Sequence, residues 1–145
     1  MKVNFDIIDN YALSYEGRLI DLHNNFEFAG FSYKVADKEV HLSWIKSSGT
    51  WVDNNELLSL ILVHKAVTFL NVIGLYEKST YNDDCCLGEI TFFPSAEREL
   101  NDDIVIIPQS KPNNDDDIIY FFENGQKIRI NCEQIELLIE LPKNM

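Results

Sequence analysis

The sequence predicts an all-β chain: an antiparallel sandwich or strongly curled sheet of about eight strands, with at most one or two short helices. Three observations carry this prediction. Apolar and polar residues alternate in short runs, as in Glu39-Val40-His41-Leu42-Ser43-Trp44. Other runs, such as Val67 to Ile73, are rich in β-branched and aromatic residues. Turn residues then separate the runs at close spacing, and Asn124-Gly125 is the strongest hairpin signal among them.

The stretch Phe26 to Lys46 reads as a hairpin turning around Ala36 to Lys38. Phe26 and Phe28 share one parity, whereas Phe31, Tyr33 and Val35 share the other. Side chains alternate faces along a strand, so a bulge at Ala29-Gly30 is expected to let all five face one core. The return strand is regular, with Val40, Leu42 and Trp44 pointing one way.

Before this hairpin, residues 1–25 are expected to form a short helix or an irregular arm. Asp9 or Asn10 would cap the helix, and Tyr11, Tyr15, Leu19 and Leu22 would share one face. Gly17 inside that pattern costs about 1 kcal/mol relative to alanine, and Tyr15 to Leu22 equally suits a first strand.

Beyond the hairpin, Leu57 to His64 and Val67 to Ile73 are expected as strands joined by a tight turn at Lys65-Ala66. Leu87 to Phe93 reads as a strand stopped by Pro94, with one helical turn in Ser95 to Leu100. Ile104 to Ile107 is a short strand candidate. Residues 108–117 contain two prolines and a polar run, which predicts a mobile loop. Ile118 to Glu123 and Gln126 to Cys132 form the last hairpin, and Ile135 to Glu140 alternates as a final strand. The 145 residues fit one domain, with residues 26–140 as its β-rich core.

Composition narrows the function classes. The chain is 46% hydrophobic and 12% aromatic, enough to fold. Its start meets acidic residues at once and lacks the basic, then apolar, pattern of a signal peptide. No run reaches the length of a membrane span. With three cysteines, two of them adjacent, a disulfide framework is not expected. A cytoplasmic location is the plain expectation. Net charge is −12, and residues 76–125 alone carry twelve acids against three bases. Such a field repels nucleic acid and anionic membrane and attracts basic partners.

Motifs for catalysis are lacking. There is no phosphate-binding glycine loop, no dinucleotide fingerprint and no strand–Gly-x-Ser-x-Gly–helix unit, so an enzyme is not expected. His23, His41 and His64 have no ligand-like spacing and read as surface or edge histidines, which leaves no metal site or cofactor expected. The aspartates from Asp115 fail as a calcium loop, because the bend position is Ile118 and the twelfth is Asn124. Cys132 sits at an inward strand position and reads as a buried thiol.

The order of motifs resembles the immunity-protein-50-like group of small β-rich bacterial proteins linked to polymorphic toxin systems. It rests on Leu22-His23-Asn24 leading into Phe26 to Trp44, the pair Leu60 to Val63 and Val67 to Phe69, and the end Phe121 to Gly125, Ile128 to Cys132 and Ile135. The group more often shows Phe-His-Asp where this chain has Leu22-His23-Asn24, and residues 76–117 are an insertion without a counterpart. The resemblance implies a non-enzymatic module that binds and blocks a cognate protein toxin, and it directs attention to His23. The expected contact surface is Asp83, Asp84, Asp102, Asp103, Asp115, Asp116 and Asp117, which would suit a basic toxin. The competing expectation is a β-sandwich that binds a small molecule or carbohydrate on Trp44, Trp51 and tyrosine platforms.

Overall fold

The computed structural model describes residues 1–74, 86–98 and 107–143. Among them it is all-β, with twelve strands in three sheets and one short 3-10 turn, Ser95–Glu97. The strands are β1 (Lys2–Val3), β2 (Asp6–Ile8), β3 (Ala12–Tyr15), β4 (Arg18–Asp21), β5 (Phe26–Lys34), β6 (Glu39–Lys46), β7 (Ser59–Lys65), β8 (Phe69–Ile73), β9 (Leu87–Pro94), β10 (Asp116–Phe122), β11 (Lys127–Asn131) and β12 (Gln134–Glu140). One sheet has the order β1-β12-β7-β6-β5 and the second β8-β11-β10-β9; β2-β3-β4 form the third. The expected sandwich is thus present, with more and shorter strands than the eight anticipated.

Of the readings open for residues 1–25, helix or arm gives way to strands, and β4 lies within the Tyr15 to Leu22 stretch that equally suited one. Two turns explain why. Asp9 and Asn10 have φ of 48° and 63°, and Glu16 and Gly17 have φ of 49° and 79°. Paired left-handed residues are what a tight hairpin turn needs, and a helix cannot pass through them. The resulting register aligns Ile7, Leu13 and Ile20 across the third sheet, and all three enter the core. Leu19, assigned to the helix face, is 55% exposed.

The main hairpin, β5 and β6, contains its bulge where the parity changed, with the register shifting between Phe28 and Gly30. Trp44, Leu42 and Val40 are fully buried, and Phe28 meets Trp44 edge-on at 5.2 Å. The bulge does bring Phe31 opposite Leu42 and Tyr33 opposite Val40, on the core side. Yet Phe31, Tyr33 and Val35 are 41%, 42% and 70% exposed and do not serve the core. Among the described residues β5 is the last strand of its sheet, and the side chains at its far end stand exposed.

β7 and β8 are not a hairpin pair. Ala66 has φ 55°, and the chain there leaves β7 in the first sheet to enter β8 in the second, where β8 pairs with β11. The Asn124-Gly125 hairpin forms as expected, with Gly125 at φ 89° and Phe122 N–H donating to Gln126 O at 2.9 Å. The stretch expected as a mobile loop, residues 108–117, makes hydrogen bonds to the N-terminal segment and enters β10 at its end. Ile7 N–H donates to Ser110 O, Lys111 Nζ donates to Phe5 O, and Asp116 and Asp117 already belong to β10. Of the Ile104 to Ile107 candidate, only Ile107 is among the described residues.

His64 is neither surface nor edge. It is fully buried on the inner face of β7, following Leu60 and Leu62 in parity. Its Nδ1 donates to Val40 O at 2.9 Å, and its Nε2 accepts from the Tyr120 hydroxyl of the second sheet at 2.7 Å. A neutral imidazole has one donor and one acceptor, and both are used. Burial disfavours the charged form and pulls the His64 pKa down from 6.5 to about 4. Cys132 is buried as expected, and desolvation pushes its thiol up to about 12, far from a reactive thiolate.

A pH dependence follows. Between about pH 6.5 and 4 the unfolded chain takes a proton on His64 and the folded chain does not, so stability falls as pH falls through that window. The His64 contribution is complete above the unfolded value and amounts to roughly 3 kcal/mol. Urea unfolding at a series of pH values should show this loss in the natural chain. In His64→Phe the total loss between pH 6.5 and 4 should be smaller by that amount; an unchanged loss would refute the assignment.

Candidate functional site

Loop ends from three parts of the chain meet beside the β9–β10 pair. After β4, Asp21 accepts from Asn24 N–H at 2.9 Å and, through its other carboxylate oxygen, from Asn24 Nδ2 at 2.9 Å. This closes the turn. Leu22 is fully buried and anchors it, so His23 at the next position is left half-buried at the surface. Cys86 immediately precedes β9, and Glu123 immediately follows β10. Glu123 N–H donates to Cys86 O at 2.9 Å, which brings the two side chains to the same end of the second sheet.

A bulge shapes this end. Phe121 pairs with Glu89 but Phe122 pairs with Leu87, leaving Gly88 as the extra residue. A Cβ on Gly88 would lie 3.2 Å from Glu123 Oε1 and 3.4 Å from Phe121 O, so the glycine makes room for the carboxylate. A shallow groove of about 270 Å³ runs here, lined by Gly88, Glu89, Phe121, Phe122 and Glu123.

Within the cluster, His23 Nδ1 donates to Leu87 O at 2.7 Å. The same nitrogen lies 3.7 Å from Cys86 Sγ and 3.9 Å from Glu123 Oε1. In a nucleophilic triad the imidazole uses opposite nitrogens, one for the nucleophile and one for the orienting acid. Here both partners lie on the side of the nitrogen that already donates to Leu87 O, so no triad forms. One donor atom from each of His23, Cys86 and Glu123 lies within 4.8 Å of the others, which makes them the metal-ligand cluster among the described residues. Sequence reasoning singled out His23 and missed the other two, because only the β9–β10 pairing brings them to it.

The expected acidic surface divides. Asp83, Asp84, Asp102 and Asp103 lie outside the described residues. Asp115 is exposed. Asp116 and Asp117 are 3% and 0% exposed and offer nothing to a partner. Asp116 Oδ2 accepts from Gln109 Nε2 and from Asn113 N–H, both at 2.7 Å. Asp117 is gripped by Arg98, which donates through Nε and a terminal nitrogen, both at 2.8 Å. Arg129 Nε and Asn131 Nδ2 add bonds of 2.7 and 2.9 Å. Burial alone would raise the Asp117 pKa, but the hydrogen bonds from Arg98, Asn131 and Arg129 outweigh it and hold the carboxyl below its usual value. The Arg98 guanidinium also stacks 3.7 Å over the Phe69 ring.

The expected stacking platforms are also reduced. Trp44 is fully buried in the core. Trp51 is 69% exposed, but its ring lies so close over Gly49 that a Cβ there would clash with it, and its N–H donates to Asn24 O at 2.8 Å. No helix among the described residues is long and apolar enough to cross a membrane. Comparison with protein-family models, with curated proteins and with solved structures gave no match to this chain.

The split among the aspartates is testable by denaturation. Asp117→Asn leaves Arg129 buried without its counter-charge and should cost about 3–5 kcal/mol of unfolding free energy. Asp115→Asn should stay within about 0.5 kcal/mol. Equal effects of the two substitutions would contradict the internal role of Asp117.

Proposed function

We propose that this chain works by binding another protein, as an immunity protein that neutralises a basic cognate toxin. The observation that carries the reading is charge. Of the twelve acids in residues 76–125, only Asp116 and Asp117 are buried among the described residues. Arg98 is engaged with Asp117 and Lys111 with Asp6, so among the described residues of this stretch four acids remain exposed with no basic residue left over. Glu89, Glu97, Asp115 and Glu123 are exposed members of that surplus. An acidic field of this kind draws in a basic protein and speeds encounter by about 10- to 1,000-fold.

An exposed apolar strip on β5 supports the same reading. Phe31 and Tyr33 stand beside Val35 at the open end of an edge strand. Aromatic side chains of this sort are the residues on which protein interfaces concentrate their binding energy, and a strand edge left unpaired among the described residues offers backbone groups to a partner. The acidic field then governs how fast a toxin arrives, and the β5 strip governs how long it stays.

The experiment pairs this chain with the protein encoded beside it in the genome. Its association rate should fall by about tenfold or more between low and high salt. Tyr33→Ala should raise the dissociation rate with little change in association. Co-expression should restore growth to cells making the partner. A rate that is flat with salt, or no protection of growth, would overturn the proposal.

A further inference from the structure

We infer that His23, Cys86 and Glu123 form a binding site for a divalent transition-metal ion, with zinc the ion that the donor set fits best. The inference is independent of the toxin-binding reading. One ligand atom from each of the three side chains lies within 4.8 Å of the others. His23 Nδ1 is 3.7 Å from Cys86 Sγ and 3.9 Å from Glu123 Oε1. Zinc bonds of about 2.0–2.3 Å in a tetrahedron separate neighbouring ligands by roughly 3.3–3.6 Å. To close on an ion the His23 ring must turn away from Leu87 O and the Cys86 and Glu123 side chains must move inward.

The donor types select the metal class. Calcium and magnesium take oxygen ligands, whereas a thiolate, an imidazole and a carboxylate together suit zinc. His23 and Glu123 side chains are 35% and 46% exposed, so an ion has a path to them. Binding exchanges the Nδ1–H bond to Leu87 O for the bond to the metal. Gly88 contributes by leaving space for the Glu123 carboxylate. Among the described residues three side chains can ligate, and a tetrahedral ion has a fourth position beyond these. An ion here would tie the turn after β4 to both strands of the β9–β10 pair, and would stabilise the fold by mass action.

The probe is Co²⁺, titrated into the full chain under reducing conditions and followed by zinc. One cobalt per chain should bind, give a thiolate-to-cobalt charge-transfer band in the near ultraviolet, and be displaced by zinc. Cys86→Ser should abolish the band. His23→Gln and Glu123→Gln should each weaken affinity by about tenfold or more. Zinc-edge X-ray absorption on the natural chain, which needs no variant to fold, should report one sulfur with nitrogen and oxygen neighbours. Absence of the band in the natural chain, its survival in Cys86→Ser, or a metal shell without sulfur would overturn the inference.

Discussion

One buried hydrogen bond sets the relation between the two main sheets. Tyr120, on β10, donates its hydroxyl to His64 Nε2 on β7, and His64 Nδ1 donates to Val40 O on β6. Both side chains are fully buried, so neither polar group has water as an alternative. A slip of either strand by one residue would turn one of them to the opposite face and leave the other unpaired. The aromatic contacts agree with this registration, because Trp44 packs 6.0 Å from Tyr120 and Phe28 packs 4.7 Å from Phe122. Fixing β10 also fixes what it carries at its two ends. Asp117 is held on the outer face of the second sheet among Arg98, Arg129 and Asn131, and Glu123 is delivered to His23 and Cys86.

The charges of the chain consequently serve two purposes. Asp117 and its arginines are internal: the pairs stabilise folding only because each lone pair is met by a donor, and removing one member exposes the cost of the other. The remaining acids around β9 and β10 have no comparable counter-charge nearby in sequence. Their surplus does not help the chain fold, since like charges repel, and it is this excess that the toxin-binding proposal puts to use.

Much of the strand layout was legible in the sequence because it depends on local pattern. Alternation located β6, β11 and β12, the parity break located the β5 bulge, and Asn124-Gly125 located the last hairpin. What was not legible depends on the company each strand keeps. Parity says that Phe31 and Tyr33 share a face with Leu42 and Val40, but not that they stand exposed. Three consecutive aspartates after a proline-rich stretch look like a solvated loop. Only the pairing of β10 with β11, and the turn after β9, bring two arginines to Asp117. His64 was within reach of a stricter reading, since it continues the inward parity of Leu60 and Leu62. The members of the His23 cluster were not, because residues 23, 86 and 123 share no sequence pattern.

The His64–Tyr120 link is open to direct observation by nitrogen-15 NMR of the imidazole in the folded chain. The structure requires a neutral ring at neutral pH, with the proton on Nδ1 and a bare, hydrogen-bonded Nε2. It also requires that this form persist on acidification until about pH 4. A ring protonated on Nε2 at neutral pH, or one that titrates near the ordinary histidine value of 6.5, would contradict the account.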